Sequence, residues 1–522
     1  MPLRIFRFRE ENTALYAYTF GLGLVGIPFA VFGTYVVYQV QVTGFTIGSD
    51  GNGGSCLDFC LVPLGSQLVD LNSVLLYLNA IGFAVGGACA VLVTAYADFW
   101  KNKALLVSIM AILYGAVCTP VHWLRVSTAS DFDALLALYV VFAVLSYTII
   151  VGFNIFIPHC MRTAEENARI IAPVDRDTTC NGGAMNDQSF GKILPEPTIS
   201  APSPAPWKTL STARWHGFKM SIMGDIAVSA GGILSLVVVI ILARTLPTTA
   251  AQTAGLLVTT IVGFVTIAGS VVLYLGLPQV AAKPPKHGKA LWLELVVPLK
   301  DLLARKNMAI LLLSYTIYVD TTFALRSVTS QLYFVEILPD TLEYSMYSLA
   351  GNLMSLLAQW LFFGVQSWRP VLRLEAWLIV GYALALVIPI WGCIGLSESV
   401  GFGFKHRWEF YVQNLILVVS GAIVNSSFRV LYSELMPKGN EVQWFGLQVV
   451  LSCATAWVSY VANAPIQNAT HQLRFPLILC LLILVIPVVL EAARSQMAIF
   501  ARDKSRWQEH DAGQNQEQVI AA

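Results

Sequence analysis

Charge is scarce in this chain. Asp, Glu, Lys and Arg make up 12% of its 522 residues against 56% hydrophobic residues, a balance far from that of ordinary soluble domains. The net charge is +1 and no basic stripe stands apart from the apolar segments, which excludes nucleic acid as a partner. There is no G-x-x-x-x-G-K-[ST] loop, so nucleotide hydrolysis within this chain does not drive it. G-x-S-x-G and H-E-x-x-H are missing too, and the 7 histidines are scattered without metal-ligand spacing. No enzyme activity, metal or cofactor is expected.

What is abundant is long apolar sequence. A hydrocarbon core about 30 Å thick takes about 20 apolar residues per helix, and such stretches fall near 14–42, 72–97, 103–124, 133–158, 217–243, 253–277, 308–335, 342–366, 372–396, 408–436, 443–465 and 474–493. These predict an all-α membrane protein of twelve spans with both termini on one side. The start, MPLRIFRFREE, is basic and precedes an apolar run too long for a signal-peptide core, so residues 1–13 read as a retained cytosolic end. The loops on that side carry Lys101, Lys103, Arg162, Arg169, Arg176, Lys192, Lys208, Arg214 and the cations of 283–306. Opposite loops hold only Arg125, Arg244, Lys405, Arg407 and Arg474. The positive-inside rule therefore places both termini in the cytosol.

The organisation expected is a six-helix half over 14–277, a cytosolic linker over 278–307, a second half over 308–493 and a polar tail over 494–522. The loop 159–214 contains PEPTISAPSPAPW and reads as loosely packed. Residues 291–303 are amphipathic and suit a helix lying on the cytosolic face. Most of the 9 cysteines fall in spans and read as small packing residues. Cys56 and Cys60 lie instead in the glycine-rich first loop on the non-cytosolic side, where they can pair in an oxidising lumen, find other partners or stay free. Asn468-Ala469-Thr470 is a glycosylation sequon on the same side, close to the membrane.

Ionisable residues inside spans are costly and so are functional candidates. Asp320 lies about 12 residues into span seven, roughly 18 Å deep at 1.5 Å per residue. Thr316, Phe323 and Ser327 share its face, and Thr321 and Thr322 add hydroxyls nearby. Asp320 suits a proton carrier or a grip on a substrate ammonium; the alternative is a structural ion pair with Arg326 or Arg429. Arg326, about 240° round the helix from Asp320, serves either as a snorkelling anchor or as a substrate contact. Arg429 in span ten shares a face with Asn425, Tyr432 and Ser433, and suits a gate between halves or recognition of a substrate carboxylate. Asp225 in span five is expected to have a structural partner. Tyr16, Tyr18 and Phe323 are candidate apolar lining.

Two strings carry family resemblance. AYADFWKNKALL, with Asp98, Lys101 and Lys103, is similar to the G-x-x-x-D-x-x-G-R-[RK] loop of the major facilitator superfamily, with Ala95 in place of the first glycine. That loop implies a cytosolic latch between two six-helix repeats, whose spans one, four, seven and ten line a central cavity. SSFRVLYSELMPKGNEVQWFGLQVV, with Arg429, Glu434, Pro437, Gly439, Glu441, Phe445, Gly446 and Leu447, resembles the signature of the fungal autophagy-related vacuolar amino-acid effluxers, a branch of that superfamily. LYAYTF, PLGSQLVDLNSVLLYLNAIG, FNIFIPHCMR and LLSYTIYVDTTFALRSVTSQLYF extend the likeness over most of the chain, with Asp320 at the family's acidic position. Two places depart: Gly23 or a neighbour stands where the family carries a glutamate, and Thr321 follows Asp320 where it carries glycine.

The resemblance implies residence in the vacuolar membrane and export of neutral, leucine-like and tyrosine-like amino acids from the degradative lumen to the cytosol; the midplane carboxylate of Asp320 makes protons the expected coupling ion. Arg429 and Glu434 join Asp98, Lys101 and Lys103 as the expected gate and latch. The competing expectations are a carrier of the same fold for a peptide, drug or polyamine, and a non-transporting sensor of lumenal amino acids.

Overall fold

The computed structural model describes residues 10–49, 56, 60–65, 67–100, 102–157, 159–160, 212–247, 253–278, 302, 305–368, 372–397, 399–436, 441–470 and 472–496. Twelve helices are long and apolar enough to cross a membrane. They are α1 (Glu10–Ile47), α2 (Leu71–Phe99), α3 (Lys103–Cys118), α4 (Ala129–Asn154), α5 (Thr212–Thr245), α6 (Ala254–Gly276), α7 (Lys306–Ile337), α8 (Thr341–Trp368), α9 (Leu374–Ile394), α10 (Arg407–Leu435), α11 (Glu441–Thr470) and α12 (Phe475–Gln496). Short connections between packed helices force successive helices to run in opposite directions. We call the end where α1 starts the near end and the other the far end.

Local chemistry sets several boundaries. Asn102 caps α3, its side-chain oxygen accepting from the Leu105 amide at 3.1 Å. Thr128 caps α4 through the Asp131 amide at 3.2 Å, and Asp340 accepts from the Glu343 amide at 2.6 Å as α8 begins. At the start of α10 the buried Glu409 carboxylate accepts from the Gly403 and Phe404 amides at 2.7 and 2.6 Å and from the Trp391 indole at 3.0 Å. It thereby gathers the α9–α10 connection. Gly403 has φ +111° and its carbonyl lies 2.0 Å from where a Cβ on Gly395 would stand, so both positions need glycine.

Some expectations change. α1 runs on past residue 42 to Ile47, and the first loop contains an antiparallel hairpin, β1 (Leu61–Leu64) and β2 (Gln67–Asp70), where no strand was expected. The turn-and-strand signal there is short, and an isolated hairpin is held by packing on α1 and α2. Cys56 and Cys60 form a disulfide just before β1. The sequon at Asn468 falls in the last turn of α11 rather than in a loop. The interior of loop 159–214, the amphipathic segment 291–303 apart from Leu302, and the tail lie outside the described residues.

Six and six helices repeat the same arrangement. In the first set α1 packs on α5, α2 on α4 and α3 on α4; in the second, α7 packs on α11, α8 on α10 and α9 on α10. Each pair becomes its counterpart by adding six. One buried core draws entirely on the first set; the other draws mainly on the second, with additions from α2, α4 and α5. The sets meet most extensively through α2 against α11 and α5 against α8, a pairing that the same six-helix shift maps onto itself. The architecture is therefore two parallel six-helix repeats joined along two lateral seams, with a central axis between them.

Candidate functional site

Asp320 lies near the middle of the 32-residue α7 and is only 4% exposed. The Thr455 hydroxyl of α11 donates to its Oδ2, while its Oδ1 has no hydrogen-bond partner. Among the described residues no cation pairs with it. Two further buried hydroxyls are also unpartnered: Thr316, one turn before Asp320, and Ser452, three residues before Thr455 on α11. Buried polar atoms are mostly satisfied in protein interiors, and these three on facing helices are among the described residues' exceptions. The hydroxyls of Tyr147 on α4 and Tyr315 and Tyr460 nearby lie within electrostatic reach of Asp320.

The apolar wall beside it is aromatic and crosses the seam. Phe323 stands 5.5 Å from Phe83 of α2 and 6.5 Å from Tyr147 of α4; Phe83 stacks on Tyr147 at 4.6 Å and on Tyr460 of α11 at 5.5 Å. One turn further toward the far end Asn79 of α2 donates to Ser327 of α7 at 3.3 Å and accepts from Tyr139 of α4 at 2.8 Å. Phe83, Tyr147, Tyr460, Thr455 and Asn79 escape a reading of the sequence because they sit on helices other than α7 and share no spacing with Asp320. A polar Asn inside an apolar span is the one signal that pointed to any of them.

The other predicted residues are distributed as follows. Thr316 and Phe323 join Asp320 on its face of α7. Thr321 is fully buried and donates to the Ile317 carbonyl of its own helix at 2.7 Å, about 100° round from Asp320, so it does not belong to the site. Tyr16 is 67% exposed, in the second turn of α1, away from the buried surroundings of Asp320. Tyr18, two residues on and so about 200° round, is buried, but it packs on Phe153 and Gly224 beside Asp225. Span one thus supplies no lining at Asp320; α2 and α4 do.

Arg429 answers a different carboxylate from the one at the centre. Its Nη1 bonds Asp225 Oδ1 of α5 at 2.9 Å and Ser221 at 3.0 Å. The structural ion pair expected for Asp320 with Arg429 is therefore not formed, and Asp225 has the structural partner expected for it. This pair joins the two halves toward the near end, with Tyr18 and Tyr315 in electrostatic reach. Tyr315 donates to Asn425 at 3.1 Å and stacks on Phe428. Glu434 is exposed in the last turn of α10, and Lys103 is buried at the start of α3. Lys101 and the side chains of Asp98 and Asn468 lie outside the described residues. No three His, Cys, Asp or Glu side chains gather as a metal site among the described residues.

The far end is closed between the halves. Tyr35 donates to Ser345 at 2.7 Å and Thr34 to Ser348 at 3.2 Å, joining α1 to α8, while Tyr38 lies 5.9 Å from Phe334 and 5.4 Å from Tyr344. A buried carboxyl with one free oxygen, an aromatic wall shared by both halves, and separate polar contacts above and below can bind a small amphipathic solute and expose it alternately at each end.

Comparison with known proteins gives the same architecture. A family model described as vacuole effluxer Atg22 like matches residues 8–496. Autophagy-related protein 22 of Candida albicans is 24% identical over 482 residues, covering 87% of this chain and 84% of that protein. The protein of the same name from Kluyveromyces lactis is 26% identical over 195 residues, covering 37% of this chain and 39% of its own length. Among solved structures, the partially occluded inward open xylose transporter XylE from E. coli aligns with TM-score 0.56 at 10% identity, over 92% of this chain and 98% of that one. The major facilitator transporter FucP in the outward conformation aligns with TM-score 0.54 at 10% identity, over 93% and 99%. The human organic anion transporter MFSD10 aligns with TM-score 0.52 at 12% identity, over 92% and 99%. At such identities the structures show a shared fold, that of the major facilitator superfamily.

Proposed function

Since this chain belongs to the Atg22-like family of vacuole effluxers, we propose that it exports neutral, hydrophobic amino acids from the vacuolar lumen to the cytosol, driven by protons carried on Asp320. The chain is a transporter of a small solute; the substrate, the ion and the membrane are the proposal. The near end faces the cytosol in this reading, as the cation distribution expects, and the far end faces the lumen, where the Cys56–Cys60 disulfide suits an oxidising compartment.

The observation that carries the reading is Asp320: buried, at mid-helix, bonded through one oxygen to Thr455 and without a cation. Such a carboxyl takes a proton when the site opens to an acidic lumen. It gives the proton up when the site opens to a neutral cytosol. Proton and amino acid then move in the same direction, and the gradient between the compartments does the work. The wall of Phe83, Tyr147, Phe323 and Tyr460 suits a leucine or tyrosine side chain.

The test is release of labelled leucine or tyrosine from proteoliposomes with an acidic or neutral interior, in the native chain and Asp320→Asn. The native chain is expected to release faster from acidic vesicles. Asparagine is fixed in the neutral form, so the variant should lose gradient-driven release yet still exchange labelled for unlabelled leucine. Acid-accelerated release that survives in Asp320→Asn would exclude this residue as the proton carrier.

A further inference from the structure

Between the ends of α7, Arg326 is the charged residue that proton coupling leaves unused. It is exposed on a helix whose interior is otherwise mostly buried. Among the described residues it has no ion-pair partner. A guanidinium within a span is costly when it is left in lipid, so its surroundings decide what it is for.

The buried Tyr344 and Tyr347 of α8 and Tyr460 of α11 are among the groups within electrostatic reach of Arg326. Tyr344 touches Tyr38 of α1 at 5.4 Å, and Tyr460 touches Phe83 of α2 at 5.5 Å. Both tyrosines therefore face the opposite half, and Arg326 lies at the seam just inside the far-end closure. At 100° per residue, Phe323 falls midway between Asp320 and Arg326 both around and along α7. Asp320 flanks it on the α11 side and Arg326 on the other, with Cα atoms about 10 Å apart by helix geometry, so the two charges do not neutralise one another. Tyr460 is in reach of both.

We propose that Arg326 is the carboxylate-binding residue of the transport site, holding the anionic end of the solute while its side chain lies against Phe323 and Phe83. The planar fork of arginine matches a carboxylate in two parallel hydrogen bonds, and the tyrosine hydroxyls around it add donors. The site takes an apolar solute with one carboxylate. It rests on the amino-acid reading above and narrows it, because it makes the carboxylate obligatory and an amine alone insufficient. Placed toward the far end, Arg326 meets a lumenal solute before Asp320 does.

The experiment measures thermal unfolding of the purified full chain in detergent with leucine, 4-methylpentanoate, which keeps the carboxylate and lacks the ammonium, and leucinamide, which lacks the carboxylate. In the native chain leucine and 4-methylpentanoate should raise the midpoint and leucinamide should not. Arg326→Gln should weaken the response to both carboxylates at least tenfold, and Arg326→Lys, which keeps the charge without the fork, should fall between. Equal protection by leucinamide, no protection by either carboxylate, or an unchanged response in Arg326→Gln overturns the site. The native-chain series decides even where a variant does not fold. Leucine release from proteoliposomes separates this from the export reading. Release with an unaltered half-saturating concentration in Arg326→Gln refutes the arginine and keeps export. No release, with Arg326-dependent protection by 4-methylpentanoate, refutes amino-acid export and keeps the carboxylate site.

Discussion

At the scale of residues, two acids of similar depth have opposite surroundings. Asp225 is held by Arg429 and sits in a satisfied pair, whereas Asp320 has one hydroxyl and an empty oxygen. The pair is partly buried, its side chains 18% and 17% exposed, so the cost of about 3–5 kcal/mol for stranding one charge of a fully buried pair is an upper bound, while replacing both by apolar residues is often neutral. Arg429→Met alone should therefore lower the unfolding midpoint in detergent sharply, and Arg429→Met with Asp225→Leu should recover most of it. Should the double variant be as unstable as the single, Arg429 has a second essential partner. The fold is expected to tolerate Asp320→Asn far better, because no cation depends on that carboxylate.

At the scale of elements, lipid supplies no hydrophobic drive for one helix to join another, so close approach and small residues do it. α1 and α5 meet through Gly23, Gly26, Ala227 and Gly231. A Cβ on Gly231 would stand 2.6 Å from the Gly23 carbonyl, and one on Gly26 would stand 2.6 Å from the Val228 carbonyl. α3 and α6 use the same device, with Gly115 and Gly263 each against the other's carbonyl. The expected outcome for Gly231→Ala is a loss of about 1–3 kcal/mol through forced separation of α1 and α5, read as a lower unfolding midpoint. Alanine at Gly33, which meets nothing within 4 Å, should leave the midpoint unchanged and serves as the control.

At the scale of the whole molecule, the halves are tied at both ends by different chemistry. Toward the near end the tie is the Arg429–Asp225 pair, and at the far end it is Tyr35–Ser345, Thr34–Ser348 and the Tyr38 aromatic contacts. The lateral seams, α2 on α11 and α5 on α8, run alongside. The Ser229–Ser355 bond at 3.1 Å belongs to one of these seams. Transport by alternating access requires the far-end contacts to open in each cycle. Cysteines at positions 35 and 345, in a background with the free cysteines replaced, should cross-link readily and stop leucine release, and reductant should restore it. Release that continues under full cross-linking would mean the far end does not gate the path.

The sequence by itself determined the twelve spans, their approximate limits and the buried charges, because in a bilayer each helix satisfies its own backbone and needs only length and apolarity. It singled out Asp320, Arg326 and Arg429 for the same reason: a charge in a span stands out without any knowledge of its neighbours. The family signature lay in one local string around Arg429, legible because its residues are contiguous. Only the tertiary structure decided who pairs with whom. It gave Arg429 to Asp225 rather than Asp320, left Tyr16 exposed, turned Thr321 onto its own helix, and brought Thr455, Phe83 and Tyr147 to Asp320 from three other helices. Those outcomes depend on the rotation of each helix about its axis. Apolar residues all round a span leave that rotation unspecified, and the small-residue contacts between helices set it.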